Sequence, residues 1–463
     1  MRVYTAQMLS PDTVLYNISY SFKAEDADKE RLEKAINKLI ERHESLRTHF
    51  ENKDGRISQV IDEKAEVVVE EIEDISNFAR AFDLGKSPLI RAGVKEDTVI
   101  IDMHHIIADG ETMPVFFREL NELYMGRALE SEAVQYGEFA ARQTDYAESE
   151  KYWLDVFSEE VPALELPKDY QRPAVQSFRG SVHYRQIEKQ LHERIEDKCK
   201  EIGITPYVYY MACFSILLSR LSGNEDIVIG TPISGRTGKY LDTVGMFVNT
   251  SVLRSHPEGT RQIAELLSEI KENSISAIDN QNYPFGELGR KLGAEVNGRN
   301  PVYDVMLAYQ SYEMTDITFG DKKAELIPLG ISSAKCDMTL NILPRKDDVV
   351  LATEYCTDLF REERIEKFIA MYSRVLELCL DETKLIKDIT VIDEREEELL
   401  NKFNDTEVSY DKDKCIIELI EENVNRHPNK TAVIFKDETL SYNELYTLVE
   451  SYAGKLTGLG VRK

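Results

Sequence analysis

Two adjacent histidines are the residues in this sequence that could most readily do chemistry. His104 and His105 follow an apolar run and precede Asp109 and Gly110, in the stretch Met-His-His-Ile-Ile-Ala-Asp-Gly. The apolar run predicts a β-strand, in which successive side chains point to opposite faces. One face then carries Val99, Ile101, Met103 and His105, and the other carries Ile100, Asp102 and His104. Both histidines cannot face one cleft in a regular strand, so we expect one to act in chemistry and the other to make a structural hydrogen bond.

The turn after the histidines adds a second chemical feature. Gly110 permits either a positive φ or the close approach of a substrate to the backbone. Free N–H groups at the start of the following helix could stabilise a developing negative charge. A histidine near its ordinary pKa exchanges protons at cellular pH. This combination suits acyl transfer to an amine or a thiol.

Two simpler interpretations compete with catalysis at this motif. A histidine at a strand end is commonly a satisfied polar residue without a chemical role. The complete spacing of two histidines, an aspartate and a glycine is rarer, and background composition gives it in about one chain of this length in a thousand. Metal binding is disfavoured because adjacent strand residues face apart and no third ligand is obvious.

The elements that must position the motif form two mixed α/β units. In the first we predict strands at 14–22, 67–72 and 98–104, and helices at 28–46 and from Thr112 onward. Prolines interrupt residues 160–180, which predicts a connector. In the second unit we predict helices at 206–221, 261–278 and 364–380, and strands at 226–230, 302–310 and 349–355. Residues 395–413 are highly charged and lack an apolar stripe, which predicts a linker before a final helix–strand–helix pattern.

Composition excludes several classes of function. The chain has 463 residues and a formal charge of -27, so phosphate-rich partners would be repelled. The six cysteines show no metal-ligand spacing, and we expect all of them to be reduced and structural. Neither an apolar leader nor a run of 18 apolar residues occurs. The sequence therefore predicts a cytoplasmic protein with no nucleic-acid partner and no membrane partner.

Eight motifs, taken in order, resemble one known family. HHIIADG resembles the signature of the condensation superfamily of nonribosomal peptide synthetases, and the other motifs occur at their usual relative places. They are RHESLRTHF (42–50), MHHIIADG (103–110), YGEFA (136–140), IGTPISGR (229–236), VGMFVNTSVLR (244–254), NYPFGEL (282–288), RNPVYDVML (299–307) and EYCTDLF (354–360). The resemblance covers roughly residues 1–395 and is collectively specific.

The tail resembles a different synthetase domain. Residues 440–445, LSYNEL, are similar to the first motif of an adenylation domain. The phosphate loop expected later in such a domain and the serine of a carrier protein do not occur in the sequence. We therefore expect a truncated piece of a longer synthetase, with a tail that cannot activate an amino acid.

The resemblance implies a fold and a division of the chain. The expected fold is α/β, with two lobes similar to chloramphenicol acetyltransferase in a V-shaped pseudo-dimer around a central tunnel. The predicted parts are an N-terminal lobe at 1–160, a connector at 161–180, a C-terminal lobe at 181–395, a linker at 396–413 and an adenylation fragment at 414–463.

The resemblance also implies a reaction and roles for individual residues. An acyl or peptidyl thioester on one carrier protein would be transferred to the α-amine of an aminoacyl thioester on another. His105 and Gly110 are assigned to catalysis, whereas His104, Asp109 and Arg236 are assigned structural roles. We expect Asp109 to pair with Arg236. No cofactor is expected to bind tightly, since upstream donor and downstream acceptor carrier proteins deliver phosphopantetheine arms, and an adenylation domain adjoins.

Departures from the family and its other members leave alternatives open. The first family motif begins midway at Met1, and Glu138 stands where the family often has Asp. Heterocyclisation domains replace the histidine pair, and epimerisation domains are not normally followed so directly by an adenylation domain. Recruitment modules usually lose a motif histidine, and a standalone acyltransferase using coenzyme A would lack the synthetase-like tail. Residues 9–17 favour the subtype with an L-configured donor over a fatty-acyl starter.

Overall fold

The computed structural model describes residues 2–129, 131–142, 146–293, 299–310, 317–327, 333–345, 348–410 and 412–462. The chain divides into two compact units, residues 1–392 and 393–463. The first unit holds both lobes and the histidine motif.

The N-terminal lobe is built around amphipathic helices and short strands. Its elements are α1 (Arg2–Leu9), β1 (Asn17–Lys23), α2 (Lys29–Arg42), β2 (Thr48–Lys53), β3 (Arg56–Ile61), β4 (Glu70–Glu71), β5 (Ile90–Lys95), β6 (Thr98–His104), α3 (Thr112–Tyr124), α4 (Tyr136–Ala140) and α5 (Ala147–Val156). The side chain of Asp28 caps α2 by accepting from the N–H of Arg31. The helix buries an apolar stripe that includes Leu32, Ile36 and Leu39.

The C-terminal half of the chain alternates longer helices with strands, and six of the described strands form a second sheet. Its elements are β7 (Gly180–Ile187), α6 (Lys189–Ile202), α7 (Pro206–Ser222), β8 (Ile227–Ile233), β9 (Asn249–Ser255), α8 (Ile263–Asp279), α9 (Phe285–Lys291), β10 (Val305–Tyr309), β11 (Thr318–Phe319), β12 (Lys322–Lys323), β13 (Glu325–Ile327), β14 (Met338–Pro344), β15 (Val349–Cys356) and α10 (Glu362–Leu378). Single turns of 3-10 helix lie at Glu44–Arg47, Ile75–Asn77, Gly238–Tyr240 and Ile386–Asp388.

The strand before the histidine motif lies in the middle of the N-terminal sheet. The order of that sheet is β13-β1-β6-β5-β4. β6 pairs antiparallel with β1, where Asn17 is opposite His104, and with β5, where Ile90 is opposite Met103. Because β6 has a neighbour on each side, the position of the strand end and of the turn after it is fixed by hydrogen bonds.

A strand from the second half of the chain completes the N-terminal sheet. β13 pairs antiparallel with β1, with Ser21 opposite Ile327. The C-terminal lobe has its own sheet, ordered β7-β15-β14-β10-β8-β9. α7 is almost wholly buried in that lobe, starts at the cap residue Thr205 and ends at Gly223, whose φ of 76° suits glycine.

The second unit has a helical part that the sequence did not predict. It contains α11 (Glu394–Asn404), α12 (Ile416–Arg426), β16 (Thr431–Phe435), β17 (Glu438–Ser441) and α13 (Tyr442–Gly458). α11 lies where we predicted only a charged linker. Its charges favour the helix, because Asp393 caps it, glutamates occupy the first turn and Lys402 lies in the last turn.

Two further element predictions were wrong in extent. The strand predicted at 67–72 is reduced to β4, because side chains of α2 take its backbone hydrogen bonds. Asn37 bonds both the N–H and the C=O of Val67, and Glu33 accepts from the N–H of Val69. The helix predicted at 28–46 ends at Arg42, and a 3-10 turn follows it.

The cysteines are reduced and mostly buried. All six cysteines are free thiols; five are buried, whereas Cys415 is exposed at the start of α12. Among the described residues, no single helix has the length and apolar character to cross a bilayer. The helices α6 and α7 together, with a bend of 107° between them, meet that criterion by length and composition only.

Candidate active site

The end of β6 separates the two histidines. His104 is the last residue of the strand, and its N–H donates to the carbonyl of Leu89. His105 is the first residue of the turn, and its N–H donates to the carbonyl of Tyr16 over 2.7 Å. Both backbones are therefore fixed by neighbouring segments, while the side chains enter different surroundings.

His104 is buried and has a hydrogen-bond partner at each ring nitrogen. Its Nδ1 accepts a hydrogen bond from the N–H of Ile106 at 3.1 Å, and its Nε2 lies 3.2 Å from Oε1 of Gln7. The accepting Nδ1 requires the proton to be on Nε2, which then donates to Gln7. Burial, followed by the charges of His105 and Lys335, lowers its pKa to about 3. His104 is thus neutral and engaged at both ring nitrogens.

His105 differs from its neighbour in having an unused ring nitrogen. Its Nδ1 is buried and has no hydrogen-bond partner among the described residues. Burial lowers the pKa of the imidazole to about 4, and the positive charge of Lys335 acts in the same direction. The ring is therefore neutral at cellular pH, so it can accept or donate a hydrogen bond to a substrate.

The ion pair expected between Asp109 and Arg236 is present. Nη1 of Arg236 lies 2.6 Å from Oδ2 of Asp109, and each side chain is 1% exposed. The same oxygen accepts from the N–H groups of Phe247 and Val248, while Asp109 Oδ1 accepts from Thr112. Because Asp109 belongs to the N-terminal lobe and its partners Arg236, Phe247 and Val248 to the C-terminal lobe, the pair joins the lobes beneath the motif.

Arg236 is held on its other side as well. Nη2 of Arg236 donates to the carbonyls of Thr243 and Gly245 and to the hydroxyl of Thr112. The guanidinium also lies over the ring of Phe247, 4.4 Å from its centroid. An arginine bonded at both terminal nitrogens fixes the geometry of the turn, although its Nε has no hydrogen-bond partner among the described residues.

The start of α3 is less available than the sequence suggested. The N–H of Thr112 donates to Asp109, and that of Met113 donates to the carbonyl of Gly110. The expectation of free donors was wrong for these two groups, because Asp109 caps the helix from within the chain. Gly110 does not adopt a positive φ, but its N–H has no acceptor in the described part of the chain. The N–H of Gly110 is therefore available as a donor in the turn that begins with His105.

Polar groups beside the motif were missed in the sequence. Asp102 is fully buried, accepts from Ser19 and Asn17 and lies 3.7 Å from Arg91. Burial raises its pKa to about 6. Strand alternation placed Asp102 on the face of His104, but the partners come from β1 and β5 and had no sequence signal.

A second missed group, Lys335, contacts Tyr16 from the C-terminal lobe. Lys335 lies just before β14, and its Nζ is 5.0 Å from the centroid of the Tyr16 ring. Tyr16 is the residue whose carbonyl accepts from His105. The run Ala334-Lys335-Cys336-Asp337 gave no periodicity that would have indicated this contact.

Comparison with known proteins identifies the family of this two-lobed fold. The condensation-domain family matches residues 1–401, and the chain belongs to that family. It is 35% identical to bacitracin synthase 3 of Bacillus licheniformis, over 100% of this chain and 8% of that protein. It is 36% identical to gramicidin S synthase 2 of Brevibacillus brevis, over 94% of this chain and 10% of that protein. The chain thus spans a tenth or less of these relatives.

Solved structures agree on the fold. A four-domain nonribosomal peptide synthetase bound to AMP and glycine matches with a TM-score of 0.77 and 19% identity, over 100% of this chain and 38% of that one. The X-domain of teicoplanin biosynthesis in complex with OxyB matches with a TM-score of 0.73 and 21% identity, over 85% of this chain and 95% of that one. The predicted condensation-domain family and the predicted α/β fold of two acetyltransferase-like lobes are confirmed.

Proposed function

We propose that this condensation domain forms an amide bond between two carrier-bound substrates in nonribosomal peptide synthesis. The α-amine of an aminoacyl thioester attacks the thioester carbonyl of an acyl or peptidyl donor. A C–N bond forms, the C–S bond breaks, and the proton lost by the amine goes to the departing thiolate. The observation that carries this proposal is His105, a neutral imidazole at the start of the turn whose Nδ1 has no hydrogen-bond partner among the described residues.

The low basicity of His105 favours positioning over proton removal. An imidazole with a pKa of about 4 is a weak base, whereas an α-amine has a pKa near 8 and is partly neutral without help. We infer that His105 accepts a hydrogen bond from the amine and holds its lone pair toward the carbonyl. Gly110 would donate its N–H to the oxygen on which negative charge develops. Asp109, Arg236 and His104 would hold the turn that carries both groups.

The proposed substrates arrive on other proteins or domains. The acyl groups would be attached to phosphopantetheine arms of an upstream donor and a downstream acceptor carrier protein, which enter a tunnel between the lobes from opposite sides. Residues 414–463 would be the opening of an adjoining adenylation domain, after a linker at 396–413. Support for this assignment comes from the match of the whole chain, tail included, to bacitracin synthase 3.

The test is reconstitution with loaded carriers. Two carrier proteins bearing donor and acceptor thioesters are mixed with the chain, and intact-protein mass spectrometry detects the dipeptidyl acceptor. We expect His105→Ala to lower the rate about 100-fold. His256→Ala is the matched control, because His256 is partly exposed and pairs with Glu269 outside the motif. Product formation that His105→Ala leaves unchanged would contradict its role. Product made only from free coenzyme A thioesters would contradict the carrier-protein assignment.

A recruitment role is the second candidate, favoured by the similarity to an X-domain seen in complex with another protein. This chain keeps both motif histidines, and His105 retains an unused nitrogen. The same reconstitution separates the two functions, since a recruitment module forms no product with any donor and acceptor pair.

A further inference from the structure

A short segment of the C-terminal lobe, residues 333–337, is held by the connector between the lobes. The N–H of Ala334 donates to the carbonyl of Phe178, and Gln176 Nε2 donates to the carbonyl of Lys335. Arg172 forms a two-pronged ion pair with Asp337. The backbone around Lys335 is therefore fixed before its side chain makes any contact.

Strand β15 fixes the same segment from another side. The N–H of Lys335 donates to Oε1 of Glu354 at 3.4 Å. Gly180 approaches so closely that an added Cβ would lie 2.6 Å from the N of Ala334. These contacts fix the backbone at Ala334 and Lys335.

From this fixed backbone the Lys335 side chain reaches the other lobe. Its Nζ lies 5.0 Å from the centroid of the Tyr16 ring, a cation–π distance. The carbonyl of Tyr16 accepts the N–H of His105 at 2.7 Å. Tyr16 thus links the Lys335 side chain to the backbone of the proposed catalytic histidine.

Among the charged groups around the His105 imidazole, Lys335 has the largest effect on its pKa. After burial, the charge of Lys335 is the next cause that lowers the pKa of His105, while Asp109 acts in the opposite direction. Lys335 also lowers the pKa of His104, on which His105 and Arg91 act in the same sense. Glu354 is next to Lys335, and its own pKa is raised by burial.

We propose that Lys335 is a positioning residue for His105: by stacking on Tyr16 it fixes, across the two lobes, the turn that carries His105. The proposal rests on the function proposed above, because it matters to the reaction only if His105 acts there. It predicts that removing the ammonium changes both the protonation of His105 and the rate, whereas an arginine restores both.

The first test measures protonation and requires no activity. Chain labelled at the histidine Cε1 is examined by NMR at pH 8 and pH 5.5, and His105→Gln assigns the His105 resonance. With a pKa of about 4, roughly 3% of the imidazole is protonated at pH 5.5. In Lys335→Met we expect a larger protonated fraction than in the wild type, because the positive charge that disfavours the imidazolium is removed. Lys335→Arg should behave as the wild type, and Lys200→Met on α6 is the exposed control.

The second test measures the rate with loaded carrier proteins. We expect Lys335→Met to lower the single-turnover rate about tenfold, with Lys335→Arg restoring most of it. Tyr16→Leu, which removes the stacking ring, should reproduce the loss. If Lys335→Met does not fold, Lys335→Gln replaces it in both tests.

The outcomes separate this inference from the proposed function. A wild-type chain that forms no product contradicts the proposed function, yet the NMR measurement still decides whether Lys335 acts on His105. A folded Lys335→Met chain whose His105 is protonated no more than in the wild type overturns the inference. So does an arginine variant that is as slow as the methionine variant.

Discussion

The two motif histidines have different surroundings because the strand ends between them. His104 remains in β6 and uses both ring nitrogens within the N-terminal lobe. His105 begins the turn, so its backbone is held by Tyr16 while Nδ1 stays unused. The end of the strand therefore places the two imidazoles in different environments, as alternation along the strand predicts for neighbouring side chains.

The pH dependence of the reaction follows from the neutral state of His105. Its pKa of about 4 lies below the ordinary value, so the imidazole stays deprotonated as the pH rises from 5.5 to 9. The protonated fraction of the acceptor amine falls over the same range, since its pKa is near 8. We expect the single-turnover rate to rise up to about pH 8 and then level. A rise in the rate with a midpoint between pH 6 and 7 that is lost in His105→Gln would contradict a neutral His105 imidazole.

Removing either partner of the Asp109–Arg236 pair should destabilise the first unit. Both side chains are 1% exposed, so Asp109→Ala leaves a buried guanidinium without its main partner. We expect the free energy of unfolding to fall by about 3–5 kcal/mol for Asp109→Ala, measured by denaturant unfolding. The double variant Asp109→Ala/Arg236→Ala should lose much less free energy of unfolding than the two single variants lose together.

A matched control is the ion pair between Arg118 and Asp242. Its N–O distance is 2.8 Å, but the side chains are 59% and 71% exposed. Asp242→Ala should change the free energy of unfolding by less than about 1 kcal/mol. Equal effects of Asp242→Ala and Asp109→Ala, or full activity of Asp109→Ala, would contradict the structural role of the buried pair.

At the scale of elements, local pattern predicted strands and helices well where the chain satisfies its own backbone. β6 occupies Thr98–His104 as predicted, and α7 begins at Pro206, as its cap and apolar run indicate. The pattern failed at 67–72, where Asn37 and Glu33 of α2 take the backbone hydrogen bonds. Apolar alternation alone cannot reveal that a distant side chain replaces a neighbouring strand.

Close packing of strand β8 gives a prediction at this scale. A Cβ added to Gly230 would lie 2.7 Å from ring atoms of Tyr303. We expect Gly230→Ala to lower the free energy of unfolding by about 1–3 kcal/mol, because the tyrosine must move within a packed core. Thermal unfolding checks this expectation.

Gly286 in α9 is the control for this substitution. No atom lies within 4 Å of an added Cβ there. Gly286 is the second residue of α9, so Gly286→Ala should change the free energy of unfolding by less than about 0.5 kcal/mol. A Gly230→Ala variant as stable as Gly286→Ala would show that β8 tolerates the extra methyl group.

At the scale of the whole molecule, the first unit is held together by contacts between distant parts of the chain. β13 enters the N-terminal sheet, Asp109 pairs with Arg236, and Lys335 stacks on Tyr16. These contacts join the two lobes around the histidine turn. The chemistry proposed for His105 therefore depends on the folded pair of lobes and not on the N-terminal lobe alone.

Residues 1–392 should fold without the second unit. That unit exposes large apolar side chains, among them Ile434, Phe435, Tyr452 and Leu459. We expect the truncated chain to unfold with a Tm within about 2 °C of the corresponding transition of the full chain. It should also bind less of an apolar dye, because exposed apolar surface is removed. A Tm lowered by about 10 °C or more would show that the second unit stabilises the first.

The sequence by itself determined the family, the position of the motif and the separation of its two histidines. These properties follow from residue order and strand alternation, which are local. The tertiary structure decided which groups surround His105: the neutral state of the ring, the donor at Gly110 and the lysine that reaches Tyr16. It also revealed that Asp109 occupies the N–H of Thr112. Burial and contacts between residues far apart in sequence arise only when the lobes pack, so no local pattern encodes them.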